Sequence, residues 1–282
     1  MRTAVVLALS LGVYSVDACA QKVGAGVASF RQSALTPLQG EIEKQKSRLS
    51  SGDQEERRDA VMRLGAMARP ESARAASVAL TDSSAVVRAT AARAVLPLGP
   101  GEASNILIPL LRDRDEFVRR EAAYALGLTR SRKAAPALVN ALEADKQPSV
   151  RGAAAVALGQ VAEPSTVPAL AAALARRLPA SGFFNRIRRK KVEEDEFVRR
   201  SVAISLGQIG SREGVPALIA ALSDERAPDD IRREAARSLG ILGDPSAVPV
   251  LRSVLDARDP YLARIAFEAL RKLDPSTATR PA

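Results

Sequence analysis

The chain contains no histidine and no tryptophan, and it has a single cysteine. Without histidine there is no imidazole base, no Ser–His pair and no His-ligated metal, which excludes many hydrolytic and metal-dependent chemistries. One thiol, Cys19, excludes a disulfide framework and a thiolate zinc site. Aromatic residues are only 3% of the 282 residues. A domain of this size built around one core normally uses more. Abundant Ala with few rings suits thin layers of closely packed helices. Apolar runs are short too: Ala4 to Tyr14, broken by Ser10 and Gly12, falls well below the length of a bilayer-spanning helix.

What is present begins with charge. Lys and Arg outnumber Asp and Glu by 42 to 32, a formal charge of +10. Such a balance favours acidic partners, nucleic acid or anionic surfaces; it also suits a chain that uses Arg as a soluble helix former. At the N-terminus, Met1 and Arg2 precede the apolar run, and small residues Ala18-Cys19-Ala20 follow before Gln21. This order describes a secretory signal peptide over residues 1–20. Two outcomes stay open. A cut after Ala20 releases a soluble exported protein. Alternatively, Val16-Asp17-Ala18-Cys19 resembles a bacterial lipoprotein box with Cys19 lipidated, although Asp17 is atypical for it. Residues 21–36 carry Gly and Ser without a helical apolar period and read as a flexible linker.

From residue 37 onward the sequence repeats itself. Val87, Val118, Val150, Val198, Ile231 and Leu262 are spaced by 31, 32, 48, 33 and 31 residues, and Glu56 occupies the same place one period earlier. Four residues after each anchor stand Ala60, Ala91, Ala122, Ala154, Val202, Ala235 and Ala266. Eight after stand Leu64, Val95, Leu126, Leu158, Leu206, Leu239 and Leu270. These spacings put one apolar, Ala-rich stripe on one helix face. Gly65, Gly127, Gly159, Gly207 and Gly240 follow the Leu, where they are expected to end the helix in a left-handed conformation. The partner helix reads Ala135-Pro136-Ala137-Leu138, Val167-Pro168-Ala169-Leu170, Val215-Pro216-Ala217-Leu218 and Val248-Pro249-Val250-Leu251, with proline where a helix begins. A period near 31 over such pairs is the signature of a repeat array.

These residues resemble the HEAT-like repeats also found in phycobilisome lyases: a Pro-Ala-Leu helix, a turn with Asp, then Val-Arg-x-x-Ala-Ala-x-Ala-Leu-Gly. The resemblance implies an all-α fold, an α-solenoid of about seven HEAT-like hairpins over residues 37–282. The divisions fall at about 37–67, 70–99, 101–130, 132–161, 163–209, 211–242 and 245–274. It also implies a binding surface lined by the second helix of each hairpin, used to engage proteins. Two enzymatic relatives of the fold do not carry over. Hydroxylation on two irons needs His–Glu pairs, and nothing here marks a chromophore site. No cofactor, no metal and no enzymatic activity are expected.

The anchors are followed by Arg57, Arg88, Arg119, Arg151, Arg199 and Arg232, with Arg58, Arg120, Arg200, Arg233 and Arg264 one residue further. Asp82, Asp113 and Asp145 lie six residues before Arg88, Arg119 and Arg151, and Glu193 stands likewise before Arg199. An acid in the turn that opens the helix, bonded to an Arg one turn in, predicts a structural ladder. The second Arg column is the freer to meet solvent or a partner.

One interval breaks the period. The 48-residue gap carries an insertion, residues 175–194, between the two helices of the fifth hairpin. It holds Arg176, Arg177, Arg186, Arg188, Arg189, Lys190 and Lys191, with Phe183 and Phe184 between them. Insertions in solenoids emerge at hairpin tips. These nine residues are the candidate partner-binding site, suited to an acidic protein surface, phosphate or an anionic lipid face. The sequence therefore points to a non-enzymatic protein-binding scaffold or adaptor of the bacterial cell envelope, periplasmic, secreted or lipid-anchored. The alternative is a nucleic-acid-binding HEAT-like protein using its basic face and loop. The export signal and the scarcity of stacking aromatics oppose that alternative. A membrane would be reached only through a lipid on Cys19.

Overall fold

The computed structural model describes residues 35–179 and 191–274. The signal peptide, the lipidation candidate Cys19 and nearly all of the expected linker lie outside these residues. The chain divides into two compact units, Met1–Glu41 and Ile42–Ala282. In the first, Thr36 opens helix α1 (Pro37–Arg48) with a reciprocal cap: Thr36 Oγ1 accepts from Gln39 N, and Gln39 Oε1 accepts from Thr36 N.

The second unit is the repeat array. Second helices α2 (Gln54–Ala66), α4 (Ala85–Ala94), α6 (Glu116–Thr129), α8 (Pro148–Val161), α10 (Glu196–Ile209), α12 (Asp229–Leu242) and α14 (Pro260–Leu273) each follow a shorter first helix. Those first helices are the end of α1, then α3 (Pro70–Ser77), α5 (Pro100–Leu107), α7 (Ala135–Ala144), α9 (Val167–Leu174), α11 (Val215–Ser223) and α13 (Val248–Ser253). Fourteen helices among the described residues thus pair into seven hairpins, an all-α solenoid. Prolines 136, 168, 216 and 249 stand in the first turn of α7, α9, α11 and α13, each entered through a short 3-10 turn. There the missing N–H breaks no intrahelical bond.

The expected apolar stripe is the core. Leu64, Val95, Leu126, Leu158, Leu206, Leu239 and Leu270 are all fully buried, as are Ala60, Ala91, Ala122, Ala154, Val202, Ala235 and Ala266. Each buried Leu contributes roughly 2 kcal/mol relative to exposure. The second helices pack on one another in sequence, α2 to α14, as one continuous layer. The first repeat lacks an apolar anchor. Glu56 there accepts from Ser51 Oγ and Arg48 Nε, which hold its carboxyl below the usual range against the opposing effect of burial.

The glycines do not end the helices. Gly65, Gly127, Gly159, Gly207 and Gly240 lie inside α2, α6, α8, α10 and α12, and the left-handed residues come three positions later, at Ala68, Arg130, Ala162, Gly210 and Gly243. The glycines instead let neighbouring helices touch. A Cβ on Gly127 would stand 2.7 Å from Ala157 Cα, and one on Gly240 2.7 Å from Ala269 Cβ. The facing column is small throughout: Ala94, Ala157, Ser205, Ser238 and Ala269. Where it is Ser, the hydroxyl also donates to the preceding helix, Ser205 Oγ to Ala155 O and Ser238 Oγ to Ala203 O, both at 2.8 Å.

The insertion leaves this layer intact, since α8 and α10 pack as closely as any pair. Its ends meet as a two-stranded antiparallel ladder, β1 (Arg177–Pro179) with β2 (Lys191–Glu193), in the register Arg177↔Glu193, Leu178↔Val192, Pro179↔Lys191. Glu194 N donating to Arg176 O extends it by one bond. The insertion therefore departs from a paired stem.

Candidate docking face and the Arg ladder

The Arg column forms a ladder, but its rungs cross between repeats. Arg57 bonds to Asp82, Arg88 to Asp113, Arg119 to Asp145 and Arg151 to Glu194, in each case through Nε and Nη2 to both carboxylate oxygens at 2.6–3.1 Å. The third nitrogen, Nη1, donates to two backbone carbonyls of the Arg's own turn, as Arg88 does to Asp82 O and Ser83 O. The acid six residues upstream thus contributes its carbonyl to the Arg, while its carboxylate serves the Arg of the previous repeat. It also accepts from a backbone N–H two residues on, as Asp82 does from Ser84 and Asp113 from Asp115. The guanidinium of Arg57 holds the Asp82 carboxyl below its usual range despite burial. Burial pushes Asp113 up, and Arg88 with the Asp115 N–H more than offsets it, so its value is also lowered.

Two rungs differ. Arg199 bonds to Glu193 of its own turn, as expected, and stands 3.9 Å from Asp224 of the next. Arg232 was expected in the ladder, but its Nε donates to Leu222 O, and Arg233 carries the last rung to Asp259 at 2.7 Å. The reason is the missing acid. Asp82 and Asp113 stand two residues after Leu80 and Leu111, and the same place after Leu255 holds Ala257.

In the second Arg column, Arg200 and Arg233 meet the residue just before the next repeat's anchor, whereas Arg58, Arg120 and Arg264 contact residues of their own helices. Arg233 lies over the Tyr261 ring at 5.3 Å, and Arg200 stands 3.9 Å from Asp230. Where the column holds Gly152, the Phe197 ring lies against it so closely that a Cβ would fall 2.1 Å from the ring. The column before the anchors reads Val86, Phe117, Ser149, Phe197, Asp230 and Tyr261. Phe117, Phe197 and Tyr261 are 37%, 44% and 66% exposed. Around Phe117 an open groove of about 460 Å³ runs across α2, α4 and α6, with Arg58, Met62, Thr90, Arg93 and Glu121 in its walls. Sequence reasoning missed this column, although the same 31-residue alignment contains it one position before the anchors.

The insertion residues divide. Arg176 is drawn into the ladder: its Nη1 donates to Leu142 O at 3.0 Å, to Glu143 O and to Glu194 Oε2. It was a candidate for a partner, and the burial of Glu194, whose side chain is 0% exposed, explains its capture. Arg177 is exposed on β1. Lys191 belongs to β2, and Phe183, Phe184, Arg186, Arg188, Arg189 and Lys190 lie outside the described residues.

The profile of HEAT repeats matches residues 42–126, 104–179 and 185–271. The chain belongs to the HEAT-repeat family. Among solved structures it is similar to YibA of Escherichia coli, at 22% identity and TM-score 0.59 over 93% of this chain and 89% of that one. An engineered protein matches at 22% identity and TM-score 0.50 over 83% and 68%. The CpcE–CpcF complex of phycocyanin lyase from Nostoc sp. matches at 22% and 0.48 over 94% and 93%. These likenesses concern the HEAT-repeat fold. No curated protein matches the chain.

Proposed function

We propose that this HEAT-repeat chain is a non-enzymatic protein-binding scaffold of the bacterial cell envelope, docking its partner on the outward face of its second helices. The observation that carries this is the aromatic column. The sequence has nine aromatic residues, and Phe117, Phe197 and Tyr261 stand at one repeat position, exposed, with Arg120 over Phe117 at 4.9 Å and Arg233 over Tyr261. Rings exposed beside Arg are what protein interfaces concentrate. The basic residues of the insertion supply a second contact suited to an acidic partner. Export through residues 1–20, with or without lipid on Cys19, fits the leader's composition. The nucleic-acid reading is weakened because Arg57, Arg88, Arg119 and Arg151 spend their donors on carboxylates and carbonyls, leaving fewer for phosphates.

The test is affinity capture from cell envelopes with three baits: wild type, a variant lacking residues 178–191, and one with Phe117, Phe197 and Tyr261 changed to Ser. A partner held by wild type and lost from the Ser variant supports the face. Retention by both variants removes it. Fractionation that leaves the uncleaved chain in the cytoplasm removes the envelope assignment.

A further inference from the structure

The Arg199 rung is incomplete in a way that points to a ligand. In four other rungs the Arg fork, Nε with Nη2, grips a carboxylate at 2.6–3.1 Å. Arg199 is only 6% exposed, yet its Nε has no acceptor among the described residues. Its Nη1 goes to the Glu193 carboxylate, and Asp224, which should complete the rung, stands off at 3.9 Å. Asp224 Oδ1 accepts from Arg226 N, and the turn it opens is two residues longer than the one after Leu80. A buried guanidinium N–H without an acceptor costs a large part of its desolvation energy, and such a group calls for an explanation, a bound water, ion or ligand among them.

The Arg199 side chain also lines a cavity of about 210 Å³. Its apolar walls are methyl groups of Ala171, Ala175, Ala217, Ala220 and Ala221, and Arg177 of the insertion stem lies at its edge. The same inter-repeat groove beside Arg119 is lined by Asp145, which fills the fork there. The cavity thus offers an arginine in its wall with one unsatisfied N–H, a small aliphatic pocket and a cationic rim. Glu193 and Asp224 on its walls disfavour a dianion more than a monoanion, which ranks a carboxylate above phosphate for this cavity.

We propose that the Arg199 cavity is a carboxylate-binding site, taking the carboxylate of a small-residue peptide segment in place of the missing Asp. It lies apart from the aromatic column, none of whose residues lines it. The proposal does not depend on that face docking a protein. Two sources share the chemistry, a chain's C-terminus and an Asp side chain.

The experiment follows the Arg199 Nε–H resonance of the full chain by NMR, assigned with Arg199→Lys. The probes are acetyl-Ala-Ala-Ala as free acid, the same peptide as C-terminal amide, acetyl-Ala-Asp-Ala-amide, and inorganic phosphate. The expected result is a saturable shift with one or both carboxylate peptides and none with the plain amide. The free acid acting alone assigns a C-terminus, and the Asp peptide acting alone assigns a side chain. Ala220→Leu fills the cavity from its exposed wall without touching the rung, and Ala175→Leu does so from the other side. Either should weaken binding by about tenfold or more, with an unchanged melting curve as the folding control. Equal shifts from acid and amide, a phosphate response as strong as the carboxylate's, or no shift up to about 5 mM peptide would overturn the proposal.

Discussion

Arg88 and Asp113 are 25 residues apart in sequence and share two hydrogen bonds of 2.8 Å. Because Arg88 also holds the carbonyls of Asp82 and Ser83, each rung ties a helix to its own turn and that turn to the next. The ion pair is therefore a gauge of repeat-to-repeat stacking. Solenoid stability is a sum of repeat terms and nearest-neighbour terms, and these rungs belong to the second kind.

The rung beneath the insertion tests this most sharply. Glu194 has a fully buried side chain and receives Arg151 at 2.6 and 3.0 Å, with Arg176 added. Glu194→Gln leaves two guanidinium groups without their countercharge and should cost about 3 kcal/mol. Glu268→Gln, which breaks a pair with Arg264 exposed on both sides, should cost under about 1 kcal/mol. Urea unfolding of both variants decides it; equal losses would deny Glu194 its special place.

Helix propensity and packing make opposite predictions at the repeat glycines. Ala is intrinsically better than Gly in a helix by up to about 1 kcal/mol. At Gly127, however, the new Cβ meets Ala157 Cα at 2.7 Å, backbone that cannot step aside. Gly127→Ala should therefore destabilise, by about 1–3 kcal/mol. Gly40, in α1 with nothing within 4 Å, should gain from the same change. Thermal melts of the two variants should move in opposite directions.

Acid should loosen the ladder. The Asp82, Asp113 and Asp259 carboxyls are all held below their ordinary value, Asp259 chiefly by its bond from Arg233. A carboxyl with a depressed folded pKa stabilises fully above its unfolded value, about 3.9, and that contribution is lost as pH falls through the folded value. The melting temperature should hold from pH 7 to about 5 and drop from about pH 4 downward. Asp113→Asn, already destabilised at pH 7, should show a shallower acid drop. An identical drop in that variant would place the effect elsewhere.

The hairpins, their proline starts and the buried stripe were legible because a 31-residue period exposes every column at once. What the columns do was less legible, because sequence distance hides which copy a side chain reaches. Asp82 lies six residues from Arg88 and 25 from Arg57, and local spacing favoured the wrong partner. Burial of Arg57 against the turn of the next repeat decides otherwise. Gly127 likewise stands near a helix end, where capping is its commonest use. Its contact with Ala157 exists only once two repeats stack. Glu194 and Arg176 were hidden for a further reason: the insertion replaces the usual Asp turn, so no neighbouring copy showed their role.

The aromatic column offers the last test, because structural and docking roles predict different losses. Phe117, Phe197 and Tyr261 keep 37% to 66% of their surface in solvent, so each buries only part of what a core ring would. Changing all three to Ser should lower stability modestly, by about 1 kcal/mol per site at most, since truncating a core ring to a small side chain costs about 3–5. Phe197 should contribute most, because its ring lies on Gly152 and bridges α8 and α10. If the rings are docking anchors, partner capture falls far more than stability does, because interface energy concentrates in such residues. The decisive comparison is the melting curve of the triple variant beside its retained partner at the same temperature. A folded variant that keeps its partner would show that the exposed rings serve only the seams between repeats.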